Sequence, residues 1–530
     1  MAVSTPLLGI AVLVYLMIIF YLGWLGYKQT KAVDDFMVAG RKANPYILAI
    51  SYGATFISTS AIVGFGGAAG SLGMGLLWLA VMNVVVGIFI AFAVFGPRTR
   101  QMGKNLRAVT FPELLGRRFD SRFIQGFAGI LIGIFMPLYT GIVLIGGARF
   151  VETTLGIDYN SALLILTVIT AAYVITGGLI AVMYTDAFQG ILMFVGMAIL
   201  LILTYTKLGG VTEAHQALTN MAHLVPETLV KGGHLGWTAM PDIGTPIWWT
   251  VVSTLVLGVG IGVLAQPQLV VRFMTVKNDR SLYRALLVGG PFIVMMTGVA
   301  FVVGALSNVY FFREKGVTSL AAAGGNTDLI IPEYINLAMP EVFVVLFMLV
   351  LLAAAMSTLS SQYHTMGTAI GHDLYRQFLK KGDMSQTVNV TKLGIAFTIL
   401  VSVVLAYTLP PSIIAPATSI FFGLCAAAFL PMYIGALFWK RMTREGAIAS
   451  MLVGSFSSLS WLAFVHAKEA APLGISQMLF GKATLLTGTW TVVDPILVAT
   501  PLAMLTGIVV SLLTRPIARE HLEKCFEKIK

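Results

Sequence analysis

Long apolar runs separated by short polar segments cover almost the whole chain. A bilayer core of about 30 Å is crossed by a helix of roughly 20 apolar residues, and on that measure the pattern predicts about thirteen membrane-spanning helices. The expected spans are 6–26, 47–71, 75–97, 124–150, 160–182, 186–206, 246–274, 284–309, 335–371, 393–409, 413–438, 446–466 and 493–514. The pattern therefore indicates an all-α polytopic membrane protein.

Composition and charge agree with this interpretation. The 530 residues are 57% hydrophobic and 11% charged, whereas a soluble domain is about 45–50% apolar and about 25% charged. Of the 34 lysines and arginines, 27 fall on one side of the predicted bundle, and Arg272 is counted among these loop residues. Basic loops favour the cytoplasmic side. We expect a multi-pass protein of the plasma (inner) membrane, with its N-terminus outside and its C-terminus in the cytoplasm. The net charge of +11 is then explained by the topology in the lipid bilayer, and no nucleic acid is needed as a partner.

Two predicted spans contain residues that break helices. Residues 51–73, SYGATFISTSAIVGFGGAAGSLG, are crowded with glycines and hydroxyls, and residues 257–273 combine alternating glycines with Pro267. Tight packing through small residues and a simple proline kink are alternatives. Interrupted helices at matching positions of two halves indicate a transporter with a midplane binding site. We therefore expect two five-helix units of opposite orientation.

The expected organisation is a single transmembrane transporter domain over residues 1–530. Its parts are an extra N-terminal helix (6–26), a first repeat (47–206), a second repeat (246–438), two C-terminal helices (446–514) and a cytoplasmic tail (515–530).

The ninth span carries the stretch MSTLSSQ, residues 356–362, in an otherwise apolar run. At 100° per residue, its hydroxyls form one stripe, and Ala354 lies on the same arc. Such hydroxyls can bond back to carbonyls of their own helix. Neutral oxygens without carboxylates also suit a weakly held monovalent cation, since calcium prefers more carboxylates.

Asp186 is predicted to begin the sixth span. It fits either a first-turn acid that the helix dipole favours or a cation ligand or gate.

Several segments resemble the sodium/solute symporter family. They are ATFISTSAIVG (54–64), GGARFVETTLGIDY (146–159), YVITGGLIAVMYTDAFQ (173–189), AQPQLVVRFM (265–274), AAAMSTLSSQ (353–362) and GALFWKRMTREGAIASMLVG (435–454). The likeness covers about residues 6–515. It implies a five-plus-five inverted-repeat (LeuT-type) core preceded by one extra helix.

The resemblance also implies a sodium site. The matching positions are the carbonyls of Ala54, Ile57 and Ala354 with the hydroxyls of Ser357 and Thr358. Some members have a second sodium site, which here would use Ser357, Ser360, Ser361 and Asp186.

The solute of this family lies beside the sodium site. The matching positions are Phe56, Ser60, Tyr139, Val259, Gly262 and Val263. Sugar carriers have hydrogen-bonding side chains where this chain has Ala61 and Val259, and proline carriers have an aspartate where it has Phe56. The segment ATFISTSAIVGFGGAAG most resembles carriers of pantothenate and short monocarboxylates.

We therefore expect a sodium-coupled secondary active symporter that imports a small organic solute, a monocarboxylate or pantothenate-like anion, by alternating access. A sodium/proline-type amino-acid symporter and a proton-coupled carrier of the same fold are the alternatives. The sequence contains no phosphate loop for ATP and no catalytic motif, so an enzyme is not expected. A passive channel would need a continuous polar pore. A sensor would carry a signalling domain, for which the tail is too short.

Overall fold

Long apolar helices build the molecule. The computed structural model describes residues 5–379 and 384–529, and every regular element within those ranges is helical. We number the main helices as follows: α1 (Pro6–Gln29), α2 (Pro45–Phe56), α3 (Ser60–Leu72), α4 (Met74–Asn105), α5 (Arg122–Leu155), α6 (Tyr159–Ala171), α7 (Gly178–Leu208), α8 (Pro246–Ala265), α9 (Pro267–Phe273), α10 (Asp279–Lys315), α11 (Glu341–Gln377), α12 (Asn389–Thr408), α13 (Ile414–Phe438), α14 (Arg444–Phe464) and α15 (Ile496–Leu513).

Shorter helices connect or cap these elements. They include Val33–Val38, Phe111–Arg118, Val211–Asn220, Glu227–Lys231, Ser319–Ala322, Ile330–Ala338, Ala467–Leu473, Ile475–Phe480 and Arg519–Cys525. In the described ranges, 11 helices are long and apolar enough to cross a membrane, or 12 spans if the bent pair α2–α3 is one span.

The fifth and sixth predicted spans correspond to α6 and α7. The helical segment over Tyr159–Leu208 has a kink at Gly178, whose backbone has φ 63° and ψ −176°. Glycine adopts this conformation without the steric cost of a Cβ atom. The sixth span begins at Gly178 and not at the predicted residue 186, so of the two alternatives for Asp186 the first-turn acid is excluded.

Both predicted helix breaks are present. Helix α2 ends at Phe56, α3 begins at Ser60, and the two are bent by 53°. Ile57 lies between them in an extended conformation (φ −90°, ψ 104°). In the second half, α8 ends at Ala265 and α9 begins at Pro267, with Gln266 extended between them. Proline cannot donate the backbone hydrogen bond that would continue the helix.

Helices α2, α7 and α11 pack closely at the centre of the bundle. A Cβ atom on Gly190 of α7 would lie 2.4 Å from Ile50 Cγ2 of α2, and one on Gly196 would lie 2.2 Å from Val350 Cγ2 of α11. The missing side chains therefore let α7 lie directly against both neighbours. Helices α11 and α13 bury most of their residues, whereas α1 and α15 expose most of theirs, as helices facing lipid would.

Candidate ion and solute site

The end of α2 and the middle of α11 bring carbonyl and hydroxyl oxygens together. Ser357 Oγ donates to Ala54 O at 2.8 Å and lies 3.4 Å from Ala354 O. Thr358 Oγ1 lies 3.1 Å from Thr55 O and 3.5 Å from Ala54 O. We call Ala54, Thr55, Ala354, Ser357 and Thr358 the hydroxyl–carbonyl cluster. It is fully buried.

The break after α2 explains why these carbonyls are available. The last four carbonyls of a helix have no partner within the helix. Gly53 O still accepts the N–H of Ile57, but Ala54 O and Thr55 O accept hydroxyl groups of α11 instead. Thr55 O was not among the predicted ligands, although its place in the last turn before the break was a signal for it.

Four of the five predicted ligands of the first sodium site therefore meet in one place. Ile57 lies at the break itself and lines the neighbouring cavity. The cluster contains oxygens and no charged side chain, which suits a weakly held hard cation better than calcium.

A second polar cluster lies beside the first and adds side chains of α7 and α9 to those of α2 and α11. Asp186 Oδ2 accepts hydrogen bonds from Ser51 Oγ at 3.0 Å and Thr55 Oγ1 at 3.1 Å. Arg272 Nη2 of α9 lies 2.8 Å from the same carboxylate oxygen and 2.7 Å from Ser361 Oγ. We call Ser51, Thr55, Asp186, Arg272 and Ser361 the Asp186–Arg272 cluster. Its side chains are at most 1% exposed.

The predicted residues of the second sodium site belong to this neighbourhood. Ser360 Oγ donates to Ser357 O at 3.0 Å and lies 3.4 Å from Asp186 Oδ1. Sequence reasoning missed Arg272, because it was counted as a loop charge at the end of a span. The signal was its position inside the segment that follows the Pro267 break, where a charged side chain is costly unless it is paired.

A cavity adjoins the hydroxyl–carbonyl cluster at the helix break. Its free volume is about 20 Å³, which is enough for one water molecule but not for a solute in this conformation. Its aromatic lining residues are Phe56, Phe65, Tyr139, Phe301 and Phe422. The rings pack on one another, as Tyr139 and Phe422 do with centroids 5.3 Å apart. The lining of the cavity is therefore mostly apolar and includes five aromatic rings.

The polar lining residues differ in how their hydrogen bonds are used. Thr297 and Thr418 donate to carbonyls of their own helices. Ser58 Oγ lies 3.4 Å from the hydroxyl of Tyr139. The oxygens of two others, Ser60 Oγ and Asn83 Oδ1, are buried without a partner in the described part of the chain. None of the described lining residues is charged.

The six predicted solute residues divide into two groups. Phe56, Ser60, Tyr139 and Val259 line the cavity. Gly262 instead packs against the backbone of α13, since a Cβ atom there would lie 2.3 Å from Phe422 O. Val263 is not a lining residue, and its side chain, like that of Phe56, approaches Gly87 of α4. Asn83 was missed, because α4 offered no break or polar stripe around it.

A bundle of membrane helices with two broken helices, an oxygen cluster at one break and an adjoining cavity is the architecture of an ion-coupled transporter. The model of the sodium:solute symporter family matches residues 36–454, and the chain belongs to this family. As a member, it is a sodium-coupled solute symporter of the membrane.

Curated relatives match over most of their length. The osmoregulated proline transporter OpuE of Bacillus subtilis is 28% identical over 95% of this chain and 94% of its own. The sodium/proline symporter of Escherichia coli is 27% identical over 88% and 89% of the two chains.

A solved structure shows the same fold. The Na⁺-coupled sialic acid symporter in a substrate-bound outward-open state superposes with a TM-score of 0.75 and 20% identity, covering 96% of this chain and 98% of that one. The five-plus-five inverted-repeat (LeuT-type) fold expected from the sequence is thereby confirmed.

Proposed function

We propose that the protein imports a small monocarboxylate or pantothenate-like anion together with sodium across the plasma membrane. One observation carries the choice of solute. The cavity beside the hydroxyl–carbonyl cluster has aromatic walls, no charged lining residue among those described, and two buried polar side chains with unpartnered oxygens, Ser60 and Asn83.

Sodium would occupy the hydroxyl–carbonyl cluster. Its ligands would be the oxygens gathered there, with the carbonyl of Ile57 as the remaining predicted ligand. A sodium ion so placed supplies the positive charge that the cavity lining lacks. Coulomb attraction at short range is strong where water is excluded, so the ion favours an anionic group in the cavity.

The carboxylate of the solute would face Ser60 and Asn83. The Ser60 hydroxyl can donate a hydrogen bond to the carboxylate. The Asn83 amide can present its NH₂ group to the cavity, since the oxygen and the nitrogen of an amide are told apart only by their hydrogen bonds. Ser60 is also the first residue of α3, where the helix dipole favours negative charge. The apolar part of the solute would contact the phenylalanines. Phe56, in contrast, offers no counter-charge to an ammonium group.

Coupling follows from the shared helix break. Sodium would hold the end of α2 against α11, and the same break forms one wall of the cavity. Each ligand then stabilises the arrangement that the other needs, and linkage requires sodium and solute to tighten each other equally. With the basic loops in the cytoplasm, each sodium ion entering through the full membrane potential contributes about 2.3 kcal/mol per 100 mV.

The test is thermal stabilisation of the purified protein by a panel of solutes. The panel contains acetate, propionate, pyruvate, lactate, pantothenate, L-proline and glucose, each in sodium and in potassium buffer. We expect a rise in Tm from a monocarboxylate or pantothenate in sodium only. Uptake of the same solute into proteoliposomes against its gradient then separates transport from binding. Stabilisation by glucose, or by a carboxylate equally in potassium, would contradict the proposal.

Proline is the second candidate. The curated relatives that support it are proline transporters at 27–28% identity. Sodium-dependent stabilisation by L-proline without a response to monocarboxylates would favour it over the anion.

A further inference from the structure

The terminal nitrogen of Arg272 has more oxygen neighbours than it has hydrogens. Nη2 lies 3.2 Å from Ser51 Oγ, 2.6 Å from Thr55 Oγ1, 2.8 Å from Asp186 Oδ2 and 2.7 Å from Ser361 Oγ. A guanidinium NH₂ group carries two N–H donors. Four oxygens therefore surround a nitrogen that can donate only two hydrogen bonds, and their arrangement resembles that of ligands around a cation.

The rest of the side chain holds this nitrogen in place. Arg272 Nη1 donates to Gln268 O at 2.8 Å, and Nε donates to Ser51 Oγ at 3.3 Å. Both Arg272 and Asp186 are fully buried. The position of the positive charge is therefore set by where α9 begins, at Pro267, and by the rotamer of the Arg272 side chain.

The oxygens themselves form a connected set. Thr55 Oγ1 lies 2.9 Å from Ser361 Oγ, and it donates to Asp186 Oδ2 at 3.1 Å. Ser51 donates to the same oxygen, and Ser360 Oγ lies 3.4 Å from the other. One carboxylate and several hydroxyls are hard oxygen ligands. Without the guanidinium, they would present a single negative charge to an alkali cation.

We infer that the Arg272 guanidinium is a built-in cation that fills this oxygen site, and that the chain consequently binds one sodium ion per cycle. The inference rests on the proposed function for the location of that one ion, which is the hydroxyl–carbonyl cluster. Replacing Arg272 by a neutral residue opens the Asp186 site to a second sodium ion.

The experiment counts sodium ions bound to the purified full-length protein. The probe is ²²Na⁺ alone, measured by equilibrium dialysis in detergent without solute. We expect the wild-type chain to bind one sodium ion. Ser357→Ala should bind this ion at least about tenfold more weakly, and Ser361→Ala should bind it with unchanged affinity. Arg272→Met should bind two ions, and Arg272→Lys should bind one. When Arg272→Met is combined with Ser361→Ala, the second ion should bind more weakly than it does in Arg272→Met alone.

Two results would overturn the inference. The first is a wild-type protein that binds two ions, one of which is weakened by Ser361→Ala. The second is a folded Arg272→Met variant whose sodium count equals that of the wild type. If Arg272→Met does not fold, the comparison of Ser357→Ala with Ser361→Ala in the wild-type background still decides.

Failure of the proposed function looks different. A wild-type chain that binds no sodium, with Arg272→Met binding one ion, would refute sodium binding at the hydroxyl–carbonyl cluster and uphold the role of Arg272. If neither protein binds sodium, both proposals are wrong.

Discussion

The hydroxyl–carbonyl cluster and the Asp186–Arg272 cluster both use oxygens of α2 and α11, yet they differ in charge, because the second adds the carboxylate of Asp186 from α7 and the guanidinium of Arg272 from α9. In the first, Ser357 and Thr358 meet backbone carbonyls released by the break after α2. In the second, Ser361 and Thr55 surround an ion pair that is complete within the protein. A neutral oxygen set can release a cation without leaving a charge behind. A buried ion pair cannot separate without exposing both charges to an apolar surrounding.

Their positions differ as well. The hydroxyl–carbonyl cluster lies at the non-helical residues that also line the cavity, so a change in the break moves ion and solute ligands together. The Asp186–Arg272 cluster instead joins α2, α7, α9 and α11, and only Thr55 of its members lies in the last turn before the break. In the proposed function, the first cluster is the site that exchanges its ion, and the second is a fixed contact between four helices.

The largest expected effect comes from breaking the ion pair. Asp186→Asn leaves the Arg272 guanidinium buried without its counter-charge, which typically costs about 3–5 kcal/mol. We expect a large fall in Tm of the purified variant, measured in potassium buffer, and no recovery when sodium is added.

The matched control is Asp186→Asn combined with Arg272→Met, which removes both charges. It should melt above Asp186→Asn, since replacing both partners avoids an unpaired buried charge. A Tm of Asp186→Asn equal to that of the wild type would show that the pair does not hold the four helices together.

A smaller effect is expected at the neutral cluster. Ser357→Ala removes one oxygen ligand of the ion, and an interaction of a hydroxyl with a charged group contributes about 1.5–3 kcal/mol. The sodium concentration for half-maximal stabilisation should rise roughly ten- to hundredfold, with little change in Tm in potassium. Thr358→Ser keeps its hydroxyl and is the control. Equal sodium dependence in Ser357→Ala and the wild type would remove the cluster as the ion site.

The sequence predicted the neutral cluster better than the charged one, and the reason is physical. Hydroxyls inside an apolar span are costly, so their stripe on α11 and the glycine-rich break in α2 indicated an ion site. Arg272 was read as a loop charge, because arginines near the end of a span commonly extend toward the interface. Its pairing with Asp186 depends on the rotation of α9 after Pro267 and on the Gly178 junction, and neither follows from hydropathy.

A substitution in the cavity should have a still smaller effect, which is confined to the binding of the solute. Ser60→Ala removes one neutral hydrogen bond to the solute, worth about 0.5–1.5 kcal/mol. The apparent Kd of the stabilising carboxylate should rise roughly two- to tenfold. Binding of ²²Na⁺ without solute should be unchanged, because Ser60 is not among the sodium ligands. If Ser60→Ala weakens sodium binding without solute, the cavity and the cluster are not separate sites.

The smallest expected effect is the response of sodium binding to pH. The hydroxyl–carbonyl cluster consists of alcohol and amide oxygens, none of which titrates near neutrality. The sodium affinity should therefore change by less than about twofold between pH 6 and pH 8, measured as half-maximal ²²Na⁺ binding without solute. Proton coupling at the same oxygens predicts competition, with sodium affinity falling several-fold as the pH is lowered. If the fall in sodium affinity persists in Ser361→Ala, protons compete with sodium at the neutral cluster. If the fall disappears in this variant, they compete at the Asp186–Arg272 cluster, which would then be the site that exchanges its ion.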